Sequence, residues 1–219
     1  MYNIEEDPHE TTNLANDIAY NDILISMRED LNNHLMSIND LSFLPEPYFL
    51  NNGIDDVVEY SAQNKTLIKK LIETSNLQLK DYDEVSSQIK NSLNNDNPWV
   101  RYWGLIVCSS FGSKAMENKD KINVIFENDS ENLVRMRAAE FMLLNDIELS
   151  DSKINSLLKR SNFEAEANLM LNTLANIKTI NPKYKLNLNK NVFPENWIPP
   201  IREENALVNR RMNYLTENE

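Results

Sequence analysis

The residues of this chain that could perform chemistry are few. A run of carboxylates, Glu5, Glu6 and Asp7, lies near the start, and the two histidines are His9 and His34. A calcium site needs several oxygen ligands that converge on one point, whereas the side chains of consecutive residues point in different directions. The run therefore predicts a solvated acidic turn. Two histidines are too few for histidine-rich chemistry, and His34 is expected to pack because it continues an apolar stripe.

Two further candidates, a cysteine and an aromatic cluster, lie on one predicted helix. Cys108 is the single cysteine, so it cannot form an internal disulfide, and its apolar helix face predicts a buried small hydrophobic residue rather than a nucleophile. Trp99, Tyr102 and Trp103 suggest a sugar-binding platform. Helical spacing divides them, because Trp103 shares the apolar face of Val107 and is predicted to be core. Trp99 and Tyr102 are predicted to meet a neighbouring helix. No catalytic, cofactor-binding or metal-ligating residue is therefore assigned.

The composition limits both fold and function. The 219 residues are 41% hydrophobic, which is enough for one elongated domain or two small ones. Only three glycines are present, and tight turns and phosphate cradles need glycine, so a mainly α fold is favoured over a sheet-rich or phosphate-loop enzyme. The formal net charge of −12 argues against nucleic acid and membrane as partners. No run approaches the roughly 20 apolar residues of a membrane span, and the first residues are no signal peptide.

The helix that carries the aromatic cluster has clear ends. Pro98 suits a first helical turn, where its missing N–H breaks no hydrogen bond, and Asn97 or Asp96 can cap the free N–H groups. Gly112 is a natural left-handed stop. A helix from Pro98 to Gly112 is therefore predicted.

The same pattern recurs further along the chain. The pair Val100-Arg101 returns 34 positions later as Val134-Arg135, and the aspartates Asp96 and Asp129 precede the two pairs. A third, degenerate unit lacks the pair but keeps apolar residues at helical spacing between positions 154 and 177. Paired helices with a period of about 34 to 47 residues are typical of tetratricopeptide and HEAT solenoids, and the aspartate and Val-Arg pair favours HEAT. The aspartate is expected to cap a helix and the arginine to bridge to a neighbouring repeat.

The segments on either side of the repeats have other patterns. Met1 to Ile4 looks like a strand, and from about Asp17 a helix follows whose apolar stripe something must cover. Residues 40–49 hold two prolines, so an extended, surface-packed linker is predicted there. The predicted domains are residues 1–50, residues 51–180 and a C-terminal cap and helix at residues 181–219. The expected anchors of the cap are Phe193, Trp197 and Ile198, and the final helix is expected from about Arg202 to Leu215.

Three stretches of the sequence resemble one enzyme family. The stretch MYNIEEDPHETTNLA at residues 1–15 resembles the segment near the end of formylglycine-dependent sulfatases. The family pattern there is Leu-Tyr-Asp-Leu, two variable residues, Asp-Pro, two more around a Glu, and Asn-Leu-Ala. The stretch DLSFLPE at residues 40–46 is similar to the segment after the next helix in members with a helical-repeat tail, and DNPWVRYWGL at residues 96–105 resembles the repeat motif of that tail. The matches are in order and cover most of residues 1–177.

The resemblance implies a fold and a parent enzyme. The implied fold is an α-solenoid of HEAT-like helix pairs, preceded by one strand and one helix left over from a sulfatase C-terminal subdomain. The family hydrolyses sulfuric esters with a formylglycine made from a Cys or Ser two residues before a Pro and four before an Arg. This sequence contains no such pentapeptide, and the nearest spacing, residues 198–202, begins with Ile198, which cannot be oxidised to an aldehyde. Calcium and formylglycine are implied only for a catalytic domain that would precede Met1 and be the partner in cis.

Three functional hypotheses follow. The first is a C-terminal fragment of a sulfatase, inactive alone, whose helical-repeat tail has a structural or partner-binding role. Met1 is then an internal methionine, and the parent enzyme would be periplasmic or secreted, whereas the chain taken literally is cytoplasmic. The second is a free-standing HEAT-repeat scaffold that binds another protein on its concave face. The third, an enzyme accessory such as a HEAT-type chromophore lyase or chaperone, rests on the repeats alone.

Overall fold

The computed structural model describes residues 1–52, 54–181, 185–198 and 206–216. These residues are mainly helical and include no strand, which confirms the mainly α prediction. The α-helices are α1 (Asn21–Ser37), α2 (Glu46–Asn52), α3 (Val57–Gln63), α4 (Lys65–Ser75), α5 (Tyr82–Leu93), α6 (Pro98–Phe111), α7 (Lys119–Asn128), α8 (Asn132–Leu144), α9 (Asp151–Leu158), α10 (Glu164–Ile180) and α11 (Leu207–Thr216). The chain forms two compact units, with Met1–Phe43 and Asp55–Ile72 in the first and Leu44–Ile54 and Glu73–Glu219 in the second.

The first unit begins with a turn instead of the predicted strand. The N–H of Asp7 donates to the carbonyl of Asn3 at 2.7 Å, which folds the chain back over Met1 to Ile4. A strand needs a second strand to satisfy its backbone groups, and the described part of the chain offers none. The leftover strand is therefore not confirmed.

The helix expected from Asp17 begins four residues later, at Asn21. Two 3-10 turns, Leu14–Asn16 and Ile18–Tyr20, come first, and the side chains of Asn13 and Asp17 cap them. Short polar side chains of this kind hydrogen-bond the backbone two residues on and hold it in a turn.

α1 is a 17-residue helix without a single buried residue. Three large apolar residues on its stripe are more than half exposed, Ile23 at 53%, Met27 at 55% and Leu31 at 57%, whereas Leu24 and Leu35 are partly buried. His34 is exposed as well, so the prediction that it packs is wrong. The physical reason is that the stripe which His34 continues is itself uncovered.

In the second unit, α6, α8 and α10 pack side by side, with α5 against α6 and α7 against α8. α9 contacts α8, and α11 contacts α10. Because these helices share neighbours on two sides, most of their circumference is apolar and buried. The largest fully buried side chains of the unit include Ile89, Leu93, Leu105, Ile122, Phe126, Met136, Phe141, Ile154 and Leu157.

α6 has the predicted ends. Pro98 is its first residue, and the Asn97 side chain caps it by accepting from the N–H of Trp99 at 2.9 Å. The helix stops at Phe111 because Gly112 has φ +56°, a conformation that residues with a Cβ rarely adopt. Within α6, Gly104 allows a close approach to α5, since a Cβ there would lie 2.4 Å from Oγ of Ser92.

The predicted extended linker at residues 40–49 is wrong. Residues Leu41–Phe43 form a 3-10 turn in the first unit, and α2 begins at Glu46 in the second unit. Pro47 is the second residue of α2 and is buried. A proline is tolerated there because the first N–H groups of a helix have no intrahelical partner.

The cap after α10 is described in part. Phe193 is buried as predicted, and Trp197 is half-buried with its ring 6.3 Å from that of Phe193. α11 begins at Leu207, but the predicted start of the final helix at Arg202 and most of the pentapeptide at residues 198–202 lie outside the described residues.

Candidate functional site

The acidic turn near the start is held by its own side chains. The Asp7 carboxylate accepts hydrogen bonds from the N–H of Thr12 at 2.7 Å and from Oγ1 of Thr11 at 3.0 Å, and these bonds lower the pKa of Asp7. Glu5, Glu6 and His9 are exposed. Among the described residues, no three His, Cys, Asp or Glu side chains come together in a group that could hold a metal ion. The bonds to Thr11 and Thr12 give Asp7 a structural role in this turn.

Cys108 lies at the centre of the second unit and is completely buried. Burial raises the pKa of its thiol to about 12, because a thiolate would lose its hydration without gaining a partner. The prediction of a buried hydrophobic residue is confirmed.

The aromatic cluster on α6 is divided differently from the prediction. Trp99 and Tyr102 are buried, at 5% and 7% exposure, whereas Trp103 is only half-buried. Assigning Trp103 to the core was wrong, because α6 packs against α5 and α8, and these two neighbours do not cover the Trp103 side chain fully. The expectation that Trp99 and Tyr102 meet neighbouring helices is confirmed: the Trp99 ring lies 5.1 Å from that of Tyr48 on α2, and the guanidinium of Arg137 on α8 lies 5.0 Å from the Tyr102 ring.

An ion pair joins successive helix pairs in the way the sequence predicts for Arg101. Its Nε and Nη2 donate to the two carboxylate oxygens of Asp129, at 2.7 and 2.9 Å. Its Nη1 donates to the carbonyls of Asn95 and Asp96. Asp129 also accepts from the N–H of Glu131 at 3.1 Å and is only 3% exposed. A bidentate pair with this little solvent fixes both position and angle.

The second arginine of the pattern does not repeat this bridge. Nε of Arg135 donates to the carbonyl of Phe126 at 2.5 Å, within its own helix pair. Asp129 lies five residues before Val134 in the sequence. The corresponding position in the next unit, five residues before Ala167, is Asn162, so that position offers no carboxylate to Arg135. Burial and the charge of Arg160 lower the pKa of Arg135. The expectation of a neighbouring-repeat bridge at Arg135 is wrong for this reason.

A cleft of about 140 Å³ opens in the second unit where the first turns of α6, α8 and α10 come close to α2. We call it the α2 cleft, and its lining includes Tyr48, Trp99, Glu131, Asn162, Phe163 and Glu166. The aromatic side chains come from three different helices, and each lies at or within two residues of the start of its helix. Helix starts that lie side by side therefore bring sequence-distant residues to one place.

The charge in the α2 cleft is negative. Glu166 is 5% exposed, and its carboxylate accepts from the N–H of Asn162 at 2.7 Å and from Nδ2 of Asn132 at 3.2 Å. Glu131 is half-buried, and its side chain makes no hydrogen bond or ion pair within the described residues. Burial raises the pKa of Glu131, and the nearby carboxylates of Asp129 and Glu166 raise it further.

None of the cleft carboxylates was singled out from the sequence. Glu131 and Phe163 are the residues immediately before α8 and α10, as Asn97 is before α6. Aligning the three helix starts would have placed these side chains in one row. The contribution of Tyr48 could not be found in this way, because residues 40–49 were predicted to be extended.

Comparison of the chain with protein-family models, with curated proteins and with solved structures found no match. Among the described residues, no helix combines the length and the apolar character needed to cross a membrane.

Proposed function

We propose that this chain is the non-catalytic C-terminal part of a sulfatase-like protein. Its first segment packs against the catalytic domain in cis, and its HEAT-like repeats have a structural or partner-binding role. Calcium and formylglycine would belong to that catalytic domain and not to this chain. The parent would be periplasmic or secreted.

The observation that carries the proposal is the uncovered stripe of α1. Ile23, Met27 and Leu31 each leave more than half of their surface exposed, and Ile38, after the helix, does so too at 52%. Burying an apolar side chain of this size contributes roughly 1.5–3 kcal/mol, so an amphipathic helix that buries none of its stripe lacks most of its stabilisation. Packing of α1 on a further domain would supply it.

The repeat region supports the scaffold role. α6 and α8 lie side by side, each with a helix of its own pair, and the Arg101–Asp129 ion pair fixes one pair against the next. Such packing supports an array in which each repeat buries its apolar face against its neighbours and the whole presents an extended surface. The one cysteine of the chain is buried.

Activity of the purified 219-residue chain is the direct test. We expect no sulfate release from an aryl sulfate ester or an N-sulfated sugar, with or without added calcium. Turnover that depends on a divalent metal and copurifies with the chain would contradict the proposal.

The DNA immediately upstream of the Met1 codon separates this proposal from the alternative. An in-frame extension that encodes Cys or Ser, any residue, Pro, any residue and Arg supports the sulfatase parent. A stop codon just before Met1, together with a ribosome-binding signal, supports a free-standing HEAT-repeat scaffold that binds another protein. The repeat packing described above favours a scaffold in either case.

A further inference from the structure

We propose that the α2 cleft binds a basic side chain, arginine or lysine, of a partner protein. The inference rests on the partner-binding role proposed above and adds to it the chemistry that the partner must present. It is argued from the walls of the cleft, from its charge and from its rim.

The walls of the α2 cleft are aromatic. Tyr48 and Trp99 meet edge to face with their ring centres 5.1 Å apart, and Phe163 contributes a third ring. Aromatic faces carry partial negative charge and attract a guanidinium or an ammonium group. The same attraction occurs elsewhere in this chain, where the Arg137 guanidinium lies 5.0 Å from the Tyr102 ring. A volume of about 140 Å³ suits the head and the last methylene groups of one side chain.

The negative charge of the cleft favours binding of a cation. The carboxylate of Glu131 has no hydrogen-bonding partner within the described residues, and Glu166 accepts only from uncharged donors, an amide side chain and a backbone N–H. The lining of the cleft contains no lysine or arginine among the described residues. Arg101, whose charge acts on Glu131, is bound to the carboxylate of Asp129, and Arg160 donates to Oδ1 of Asn132. Two carboxylates therefore lack a cationic partner.

An anion is the alternative occupant, because helix N-termini point at the cleft. Each helix start carries roughly half a positive charge, which favours anions. The carboxylates of Glu131 and Glu166 already lie in the positive field of these helix starts, and each carries a full negative charge. Burial and the carboxylates of Asp129 and Glu166 raise the pKa of Glu131, so negative charge is disfavoured at this position. A further anion would increase the repulsion, whereas a cation would relieve it.

The rim of the cleft can hold the backbone of a partner peptide. Asn51, Asn52 and Asn162 line the cleft and are exposed. Each amide side chain offers both donors and an acceptor, which is what the backbone beside an inserted side chain requires. The net charge of −12 further favours encounter with a basic partner.

A ligand titration followed by NMR tests the proposal. The reporter is the indole N–H resonance of Trp99 in the ¹⁵N-labelled full chain, assigned with Trp99→Phe. The probes are N-acetyl-arginine amide and N-acetyl-citrulline amide, which has the same shape without the charge. We expect a saturable shift with the arginine probe and about tenfold weaker binding of the citrulline probe, because the cation contributes both charge pairing and attraction to the rings.

Two variants make the test specific. Glu131→Gln is expected to weaken arginine binding about five- to tenfold, as loss of a partly buried charge partner does. Glu148→Gln removes the same charge from an exposed residue outside the cleft and should leave binding unchanged. Should Glu131→Gln lose its dispersed NMR spectrum, Phe163→Leu, which keeps the apolar wall but removes the ring, replaces it with the same expected direction.

Binding should also weaken as the pH falls through the raised pKa of Glu131, since protonation removes its charge. The titratable groups around it are Asp129, Glu166 and Arg101. Equal binding of arginine and citrulline, or unchanged binding in Glu131→Gln, would overturn the proposal. So would tetramethylammonium binding as tightly as the arginine probe, because the cleft would then select a free organic cation. None of these outcomes bears on the sulfatase parent, which upstream DNA and sulfate release test separately.

Discussion

Trp99 and Trp103 stand one helical turn apart on α6, but their surroundings differ. Trp99 is 5% exposed and packs edge to face on Tyr48, whereas Trp103 is half-buried. We expect Trp99→Ala to lower the free energy of unfolding by about 3–5 kcal/mol, the usual cost of a large cavity. Trp103→Ala should cost clearly less. Urea unfolding of both variants measures the difference, and an equal or larger loss at Trp103 would contradict the assignment of the core.

Glu131 should make stability depend on pH in an unusual direction. Its pKa in the folded chain is raised above the usual 4.5. At pH values between 4.5 and this raised pKa, the folded state therefore binds more protons than the unfolded state. The folded chain therefore loses stability as the pH rises through that interval. Glu131→Gln should be more stable than the natural chain at neutral pH, and the gain should vanish below pH 4.5.

Thermal unfolding of both proteins across a pH series measures this effect. Glu148→Gln is the matched control, because it removes the same charge at an exposed position. A gain from Glu131→Gln that is independent of pH would contradict the explanation.

The Arg101–Asp129 ion pair, which joins two helix pairs, should contribute more to the free energy of unfolding than an exposed ion pair does. Its carboxylate is 3% exposed, so removing the guanidinium leaves a buried charge with only one N–H partner. We expect Arg101→Met to cost about 3 kcal/mol. Lys90→Met breaks a pair with Glu117 whose side chains are 50% and 43% exposed, and should cost less than about 1 kcal/mol. Chemical denaturation of both variants compares them, and similar losses would refute the buried bridge.

The contact between α5 and α6 depends on Gly104 having no side chain. A Cβ at that position would lie 2.4 Å from Oγ and 3.1 Å from Cβ of Ser92. Alanine normally stabilises a helix relative to glycine by about 0.5–1 kcal/mol, but overpacking costs roughly 1–3 kcal/mol. Gly104→Ala should therefore destabilise the chain.

A double-mutant cycle identifies the cause. Ser92→Ala removes the closest atom, so Gly104→Ala should cost less in that background than in the natural chain. Equal costs in both backgrounds would show that another neighbour limits the approach.

At the scale of the whole molecule, stability should be unevenly distributed. α1 has no buried residue, whereas ten of the thirteen residues of α8 are buried. Local opening is easiest where few apolar contacts must be broken. We expect the amides of α1 to exchange with solvent orders of magnitude faster than those of α8, measured by hydrogen–deuterium exchange and mass spectrometry. Equal protection of the two helices would mean that α1 is covered in this chain after all.

Much of the fold of the second unit follows from local rules in the sequence. Pro98 and Gly112 mark the ends of α6 through backbone geometry that their own atoms impose. The buried apolar residues of α10 follow the helical spacing seen in the sequence, whereas α8 is buried along nearly its whole length. The prolines at positions 45 and 47 led to the wrong prediction of an extended segment. A proline disrupts the interior of a helix but is tolerated in its first turn, and only the observed start of α2 shows that these prolines lie at a helix start.

The sequence by itself determined most helices of the second unit, the buried cysteine and the Arg101 bridge, because caps, spacing and charge act over a few residues or recur at a fixed period. Tertiary structure alone decided that Trp99 is core and that much of the apolar stripe of α1 is exposed. It also decided that Tyr48, Glu131, Phe163 and Glu166 share one cleft. The reason is that burial and charge pairing depend on which helices become neighbours, and residues more than a hundred positions apart meet there.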